Sequence, residues 1–139
     1  MKKHISEGPA LQPSDPAARA RMNVAMAVLD NYAYGALITR MFIPRAVVPM
    51  LGGETDEAVI EGAKADAAQS VSVLNGMLDG GYFAGDACSL ADLHVLPVMH
   101  YASQIPEGQA LLGDAPALSG WLDRMNQRDS ARSTVPQLG

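Results

Sequence analysis

The stretch Tyr82-Phe83-Ala84-Gly85-Asp86-Ala87-Cys88-Ser89-Leu90-Ala91-Asp92 predicts where the most buried helix of the chain begins. Ser89 and Asp92 stand three residues apart, directly before an apolar run over 93–99. This spacing is typical of a capping box, in which a serine and an acidic side chain each accept from a backbone N–H that the helix leaves free. The run that follows is apolar on nearly every side, which indicates a helix inside a domain. We therefore interpret Ser89 and Asp92 as the structural cap of a central helix.

Two long helices are predicted ahead of this cap. Asp15 and Pro16 suit the N-cap and the first position of a helix. That helix should end or kink before Pro44, because proline removes a backbone hydrogen bond. A second helix is predicted from Thr55, with apolar side chains near a 3.6-residue period. The glycines of Asp79-Gly80-Gly81 would then close it.

Shorter elements are predicted at the two ends of the chain. Residues 1–14 are interrupted by glycine and proline and are predicted to form a linker. Pro116 opens a last helix that places Trp121 on an apolar side, and the tail from Ser130 has no periodicity. The expected fold is an all-α bundle of about five helices, which together make one domain over residues 15–139.

Composition narrows the class of protein. Of the 139 residues, 48% are hydrophobic and 18% are charged, as in a globular domain. The formal net charge of −5 argues against a nucleic-acid partner, because no basic patch could neutralise several phosphates. One cysteine allows no disulfide framework and favours a reducing compartment. No run approaches the roughly 18 apolar residues that cross a bilayer. We expect a cytoplasmic domain that binds neither nucleic acid nor membrane.

The run Ser-Leu-Ala-Asp-Leu-His-Val-Leu-Pro-Val-Met-His-Tyr, from Ser89 to Tyr101, resembles a known family. Together with the preceding aromatic pair and the later Trp121 helix, it is similar to the C-terminal, all-helical domain of the glutathione transferases. The resemblance is greatest to the plant-type (phi) class and its bacterial relatives. Residues 5–13 resemble the tether that leaves the N-terminal thioredoxin-like domain of that family.

The resemblance implies that glutathione and the electrophile are bound by different domains. In the family, the glutathione site and the hydroxyl or thiol that activates glutathione lie in the thioredoxin-like domain, whose motifs no residue of these 139 matches. The resemblance therefore implies the domain that forms the electrophile cleft, in an enzyme that joins the glutathione thiolate to hydrophobic electrophiles. We expect no catalytic residue and no cofactor in this chain, with glutathione as co-substrate once the missing domain is supplied. The chain alone should be inactive.

One side of the first helix is a candidate wall of that cleft. Asn23, Asp30 and Tyr34 recur at spacings of seven and four residues, with Met26 between the first two. A polar and aromatic side that also carries methionine suits an adaptable binding surface. In the family, the equivalent helix lines the electrophile cleft. An ordinary solvent-facing side with a few bridging side chains explains the same pattern equally well.

Other reactive side chains give weaker signals. His94 and His100 are six residues apart, about 240° around a helix, so they cannot share a metal and no metal site is expected. Cys88 precedes a helix whose dipole can lower a thiol pKa, but it equally suits a small apolar contact, which we favour. Ser89 and Asp92 have a structural rather than a catalytic pattern.

The apolar run from Val24 to Leu29 predicts a partner surface, because a bundle core can cover only one side of a helix. A homodimer through the first two helices is the expected closure, and a thioredoxin-like domain is a second possible partner. Two other readings stay open: a non-catalytic protein-interaction module, as similar domains form in translation-factor and tRNA-synthetase assemblies, and a truncated gene product.

Overall fold

The structure, a computed structural model, describes residues 8–137, and within that range the chain forms helices joined by turns without a β-strand. The first helix occupies residues 16–50 and changes its hydrogen-bonding pattern along its length. Its segments are α-helical Pro16–Val28, π-helical Leu29–Ala33 and Gly35–Val47, and α-helical Val48–Met50. Asp15 caps its start, since the carboxylate accepts from the Ala18 N–H at 2.9 Å.

Of the two outcomes predicted before Pro44, an end or a kink of the first helix, the end is wrong. Pro44 is buried inside the π-helical segment Gly35–Val47, and helical backbone continues to Met50. The prediction used the α-helical rule, in which the proline ring clashes with the carbonyl four residues earlier. The wider turn of a π-helix places that carbonyl differently and accommodates the ring.

The remaining helices complete an all-α bundle, as predicted. They are the second helix Glu57–Gly76, the central helix Leu90–Ala102, the short helix Pro106–Gly113, the Trp helix Pro116–Asn126 and the terminal helix Asp129–Ser133. The number of helices is slightly larger than the expected five. The tail was predicted to be irregular from Ser130, but its residues up to Ser133 belong to the terminal helix. The second helix is capped by Asp56 rather than beginning at Thr55.

The core lies between the two long helices and the central helix. Fully buried side chains there include Leu37 of the first helix, Leu74 of the second and Val95 of the central helix. The central helix is less enclosed than its composition predicted, because Leu93 is 36% exposed and Pro97 is also exposed. Its opposite side is buried, so the helix has one side in the core and one at the surface.

Close backbone contacts fix the shorter helices. Gly108 of the short helix lies against the end of the central helix, where an added Cβ would stand 1.8 Å from the carbonyl oxygen of Ala102. The Trp helix follows Ala115, which has no side-chain oxygen for capping. Instead, Asn75 of the second helix accepts from the Leu118 N–H at 3.0 Å. A side chain from another helix therefore supplies the cap.

The predicted linker is only partly described. Residues 1–7 lie outside the described residues, and residues 8–14 have no regular secondary structure. Two of their carbonyl groups accept hydrogen bonds from the bundle: Leu11 from the Leu90 N–H and Pro13 from the Arg19 side chain. Among the described helices, none is long and apolar enough to cross a membrane.

Candidate functional site

The cap at Ser89 and Asp92 has both of its reciprocal hydrogen bonds. The Ser89 N–H donates to Oδ2 of Asp92 at 2.8 Å, and the Ser89 side chain in turn accepts from the Ala91 N–H at 3.2 Å. The Ser89 hydroxyl also lies 3.2 Å from the same carboxyl oxygen. This geometry satisfies backbone groups that the start of a helix cannot satisfy by itself.

The second carboxyl oxygen of Asp92 connects distant parts of the chain. Oδ1 accepts from the indole N–H of Trp121 at 2.8 Å and from the Phe83 N–H at 3.3 Å. The two aromatic rings also pack edge-to-face, with centroids 5.0 Å apart. Asp92 has no exposed surface, so its carboxyl group joins the aromatic turn, the central helix and the Trp helix and is closed to a substrate.

The four candidate cleft residues occupy different environments on the first helix. Asn23 and Tyr34 are exposed, whereas Met26 is partly buried and packs against the core. Asp30 lies beside the central helix, with Oδ1 2.7 Å from Nε2 of His94. Tyr34 follows Asp30 by four residues, about one turn along the same side. The structure thus brings Asp30 to the central helix and leaves Asn23 and Tyr34 open at the surface.

His94 of the central helix lies beside this surface, and the sequence did not predict its contact with Asp30. A metal site at His94 was not expected, and its ring instead pairs with a carboxylate 64 residues away in the sequence. Local periodicity carries no signal for such a pair; only the packing of the central helix beside the first helix brings it together. Within residues 8–137, no three His, Cys, Asp or Glu side chains are arranged to hold a metal ion.

A second open side of the first helix faces the second helix. An open groove of about 420 Å³ runs between their exposed sides, and Arg40 and Asp66, which line it, form an ion pair with a distance of 2.6 Å. The other lining residues are Val28, Asn31, Tyr32, Gly35, Gln69, Ser70 and Val73. Tyr32 is 67% exposed, although a tyrosine carries a large apolar ring. The sequence predicted a partner surface at Val24 to Leu29 but not the residues that line this groove. Val28 belongs to both.

Cys88 is half-buried beside the cap. Burial, and then the negative charge of Asp92, raise the pKa of the Cys88 thiol above its usual range. A thiol with a raised pKa is mostly protonated and is a poor nucleophile at neutral pH. This environment agrees with the small apolar contact that the sequence favoured over a reactive thiol.

A charged cluster joins three helices at the far end of the bundle. Arg45 of the first helix donates to both oxygens of Glu57, at 2.6 and 2.8 Å, and through Nε to Glu107 at 2.8 Å. These hydrogen bonds lower the pKa of Glu57 below its ordinary value. Burial, the largest single influence, acts to raise the pKa of Glu107, but its hydrogen bond to Arg45, a backbone hydrogen bond and the charge of Arg45 together leave that pKa below its ordinary value. The cluster therefore ties the first, second and short helices when both glutamates are ionised.

The fold and these two open sides define a class: an all-α bundle domain with a capped central helix and a long helix shared between core and surface. The chain belongs to the family described as glutathione S-transferase, C-terminal domain, whose family model matches residues 17–129. The expectation drawn from the run at Ser89 is therefore confirmed, both for the family and for the all-helical fold.

Individual relatives agree with this assignment. Glutathione S-transferase F7 of Arabidopsis thaliana is 26% identical over 114 residues, which are 81% of this chain and 54% of that protein. The chain thus spans about half the length of the curated relatives it matches. The solved structure of glutathione S-transferase III in apo form is 26% identical with a TM-score of 0.83, and the match covers 96% of this chain and 63% of that one.

A further solved neighbour was determined with a bound ligand. It is glutathione S-transferase I from maize in complex with an atrazine glutathione conjugate. This structure is 27% identical and matches with a TM-score of 0.75, over 86% of this chain and 55% of that one.

Proposed function

We propose that this chain is the electrophile-cleft half of a glutathione transferase. The observation that carries the proposal is the open polar side of the first helix, held against the central helix by the pair of Asp30 and His94. Family membership supports it, and so does the neighbour that was solved with a glutathione conjugate. The proposed reaction is attack of a glutathione thiolate on an electrophilic carbon, with glutathione supplied by a thioredoxin-like half.

The side chains of this surface suit recognition rather than chemistry. Asn23 offers amide donors and an acceptor, and Tyr34 offers an aromatic ring with a hydroxyl group. Asp30 is paired, so its proposed role is to hold His94 in place beside the cleft. None of these groups is proposed to activate the thiol, which stays the task of the thioredoxin-like half.

The proposal is tested by supplying the thioredoxin-like half. The full chain is joined behind the N-terminal half of glutathione S-transferase F7, and glutathione conjugation of an aryl halide is followed by absorbance. We expect turnover by the fusion and none by the chain alone. Turnover by the chain alone would place a glutathione site within the helices and overturn the proposal. A folded fusion without turnover would favour the interaction module instead.

A pair of tyrosines makes the fusion more informative. Tyr34→Ala removes an exposed ring from the proposed cleft, and we expect it to lower kcat/KM for the electrophile by roughly threefold to tenfold. Tyr32→Ala removes another exposed tyrosine ring, from the groove side, and should leave the KM for the electrophile unchanged. Equal kinetic effects of the two substitutions would show that the cleft is not on the Tyr34 side.

The groove side is proposed to bind a second copy of the chain. Val24, Tyr32 and Val73 are 54%, 67% and 43% exposed, and exposed apolar side chains that cluster mark interfaces. The oppositely charged Arg40 and Asp66, which line the groove, give one surface both charges, which a two-fold contact can match with itself. Light scattering on Tyr32→Ala should show a lower mass than the unaltered chain. A wild-type mass near 14.6 kDa at high micromolar concentration would refute the dimer.

A further inference from the structure

Residues 8–14, named the strap here, are tied to the bundle at two points. The carbonyl group of Leu11 accepts from the Leu90 N–H at 3.0 Å, and that of Pro13 accepts from Nε of Arg19 at 3.1 Å. The side chains of Leu11 and Pro13 are half-buried, while Gln12 between them is exposed. This alternation shows a segment that lies along the bundle with one side inward.

The first of these bonds completes the cap of the central helix. Leu90 is the first residue of that helix, and the first N–H groups of a helix have no partner within it. The side chain of Ser89 serves the residues that follow, and Asp92 serves the N–H of Ser89 itself. The Leu90 N–H is the one that the strap satisfies, through a residue far away in the sequence.

The strap also lies beside the thiol of the chain. A cleft of about 250 Å³ has Ala10, Pro13 and Ser14 on one wall and Asp86, Ala87 and Cys88 on another. Cys88 immediately precedes the cap, so the same segment that bonds to Leu90 borders the thiol. Docking of the strap and access to Cys88 are thus linked by position.

We propose that the strap is a releasable part of the central-helix cap. When it is docked, the Leu90 N–H is bonded and the thiol of Cys88 is partly covered; when it leaves, both are open to water together. In the transferase proposed above, the strap would fix where the glutathione-binding half joins the bundle. That extension alone rests on the proposed function.

Two measurements on the full chain test the strap itself. The variant Leu11→Gly, Pro13→Gly, Arg19→Ala removes the two half-buried side chains and the guanidinium that holds the Pro13 carbonyl. We expect hydrogen exchange at the Leu90 amide to accelerate roughly fivefold or more, the effect of losing one helix cap. Alkylation of Cys88 by N-ethylmaleimide should accelerate in parallel, and it reports one site because the chain has one cysteine.

Gln12→Gly is the matched control, since it loosens the same segment at an exposed position. It should leave both rates close to those of the unaltered chain. If the triple variant matches this control in both rates, the strap is not docked and the proposal fails. If the triple variant loses its helical circular dichroism, Arg19→Ala alone is measured, because it removes one exposed contact; unchanged rates there would also overturn the proposal. Neither outcome depends on transferase activity.

Discussion

Replacing Asp92 by alanine removes the acceptor of several buried donors at once. The indole N–H of Trp121 and the backbone N–H groups of Phe83 and Ser89 all point at its two oxygens, over 2.8 to 3.3 Å. A buried donor left without a partner costs about 1–3 kcal/mol. Three such donors, relieved in part by water entering the space left behind, give an expected destabilisation of about 3–5 kcal/mol. Ser89→Ala, which removes one capping oxygen, should cost about 1 kcal/mol.

Urea unfolding followed by far-ultraviolet circular dichroism measures these losses without using the fluorescence of Trp121, which the substitution itself perturbs. Asp92→Asn is a graded variant, because it keeps the shape and one acceptor oxygen, and it should lie between the unaltered chain and Asp92→Ala. Asp129→Ala is the control, since that carboxylate is 98% exposed. If Asp92→Ala and Asp129→Ala unfold at the same urea concentration with equal slopes, the buried network does not hold the bundle together.

Gly108→Ala should destabilise the bundle by about 1–3 kcal/mol, because a Cβ there overlaps a carbonyl of the central helix. Gly62→Ala, with open space at its Cβ, should instead raise stability by about 0.5–1 kcal/mol, and equal urea midpoints for the two would contradict the packing described. Glu57 and Glu107 have lowered pKa values in the folded chain, so their contribution is present above the ordinary glutamate pKa of 4.5 and is lost as the pH falls further. Thermal unfolding between pH 6 and pH 3 should show this loss, with a shallower dependence in Arg45→Gln; parallel curves for the two chains would exclude the cluster as its cause.

Local patterns were enough to predict the cap but not its partners. Ser89 and Asp92 are three residues apart, so their contact follows from helix geometry alone. The bonds from Asp92 to Trp121 and from Asp30 to His94 span 29 and 64 residues, and they depend on how helices pack. The sequence therefore predicted where helices begin more reliably than what they touch.

The errors in the long helices have specific physical causes. The rule that ended the first helix before Pro44 describes an α-helix, whereas the backbone there follows the π pattern. The 3.6-residue period of the second helix predicts a buried side that begins at Val59 and continues through Ala63 to Leu74. With Asp56 as the cap, Ile60 is 1% exposed and Val59 is 38% exposed. Ala63 and Leu74 are buried as predicted, so the period and its phase are correct and Val59 is the one misplaced position.

The connections of the central helix also bear on the order in which the molecule can form during synthesis. Its start is bonded to Leu11, near the beginning of the described chain, and through Asp92 to Trp121, which leaves the ribosome 29 residues later than Asp92. Until the Trp helix has emerged, the carboxyl group of Asp92 lacks the indole donor of Trp121. The apolar central helix that begins beside Asp92 is then only partly covered by other helices. We therefore expect the bundle to close only after Trp121 has emerged, so a nascent chain that stalls earlier should expose its apolar central helix to chaperones.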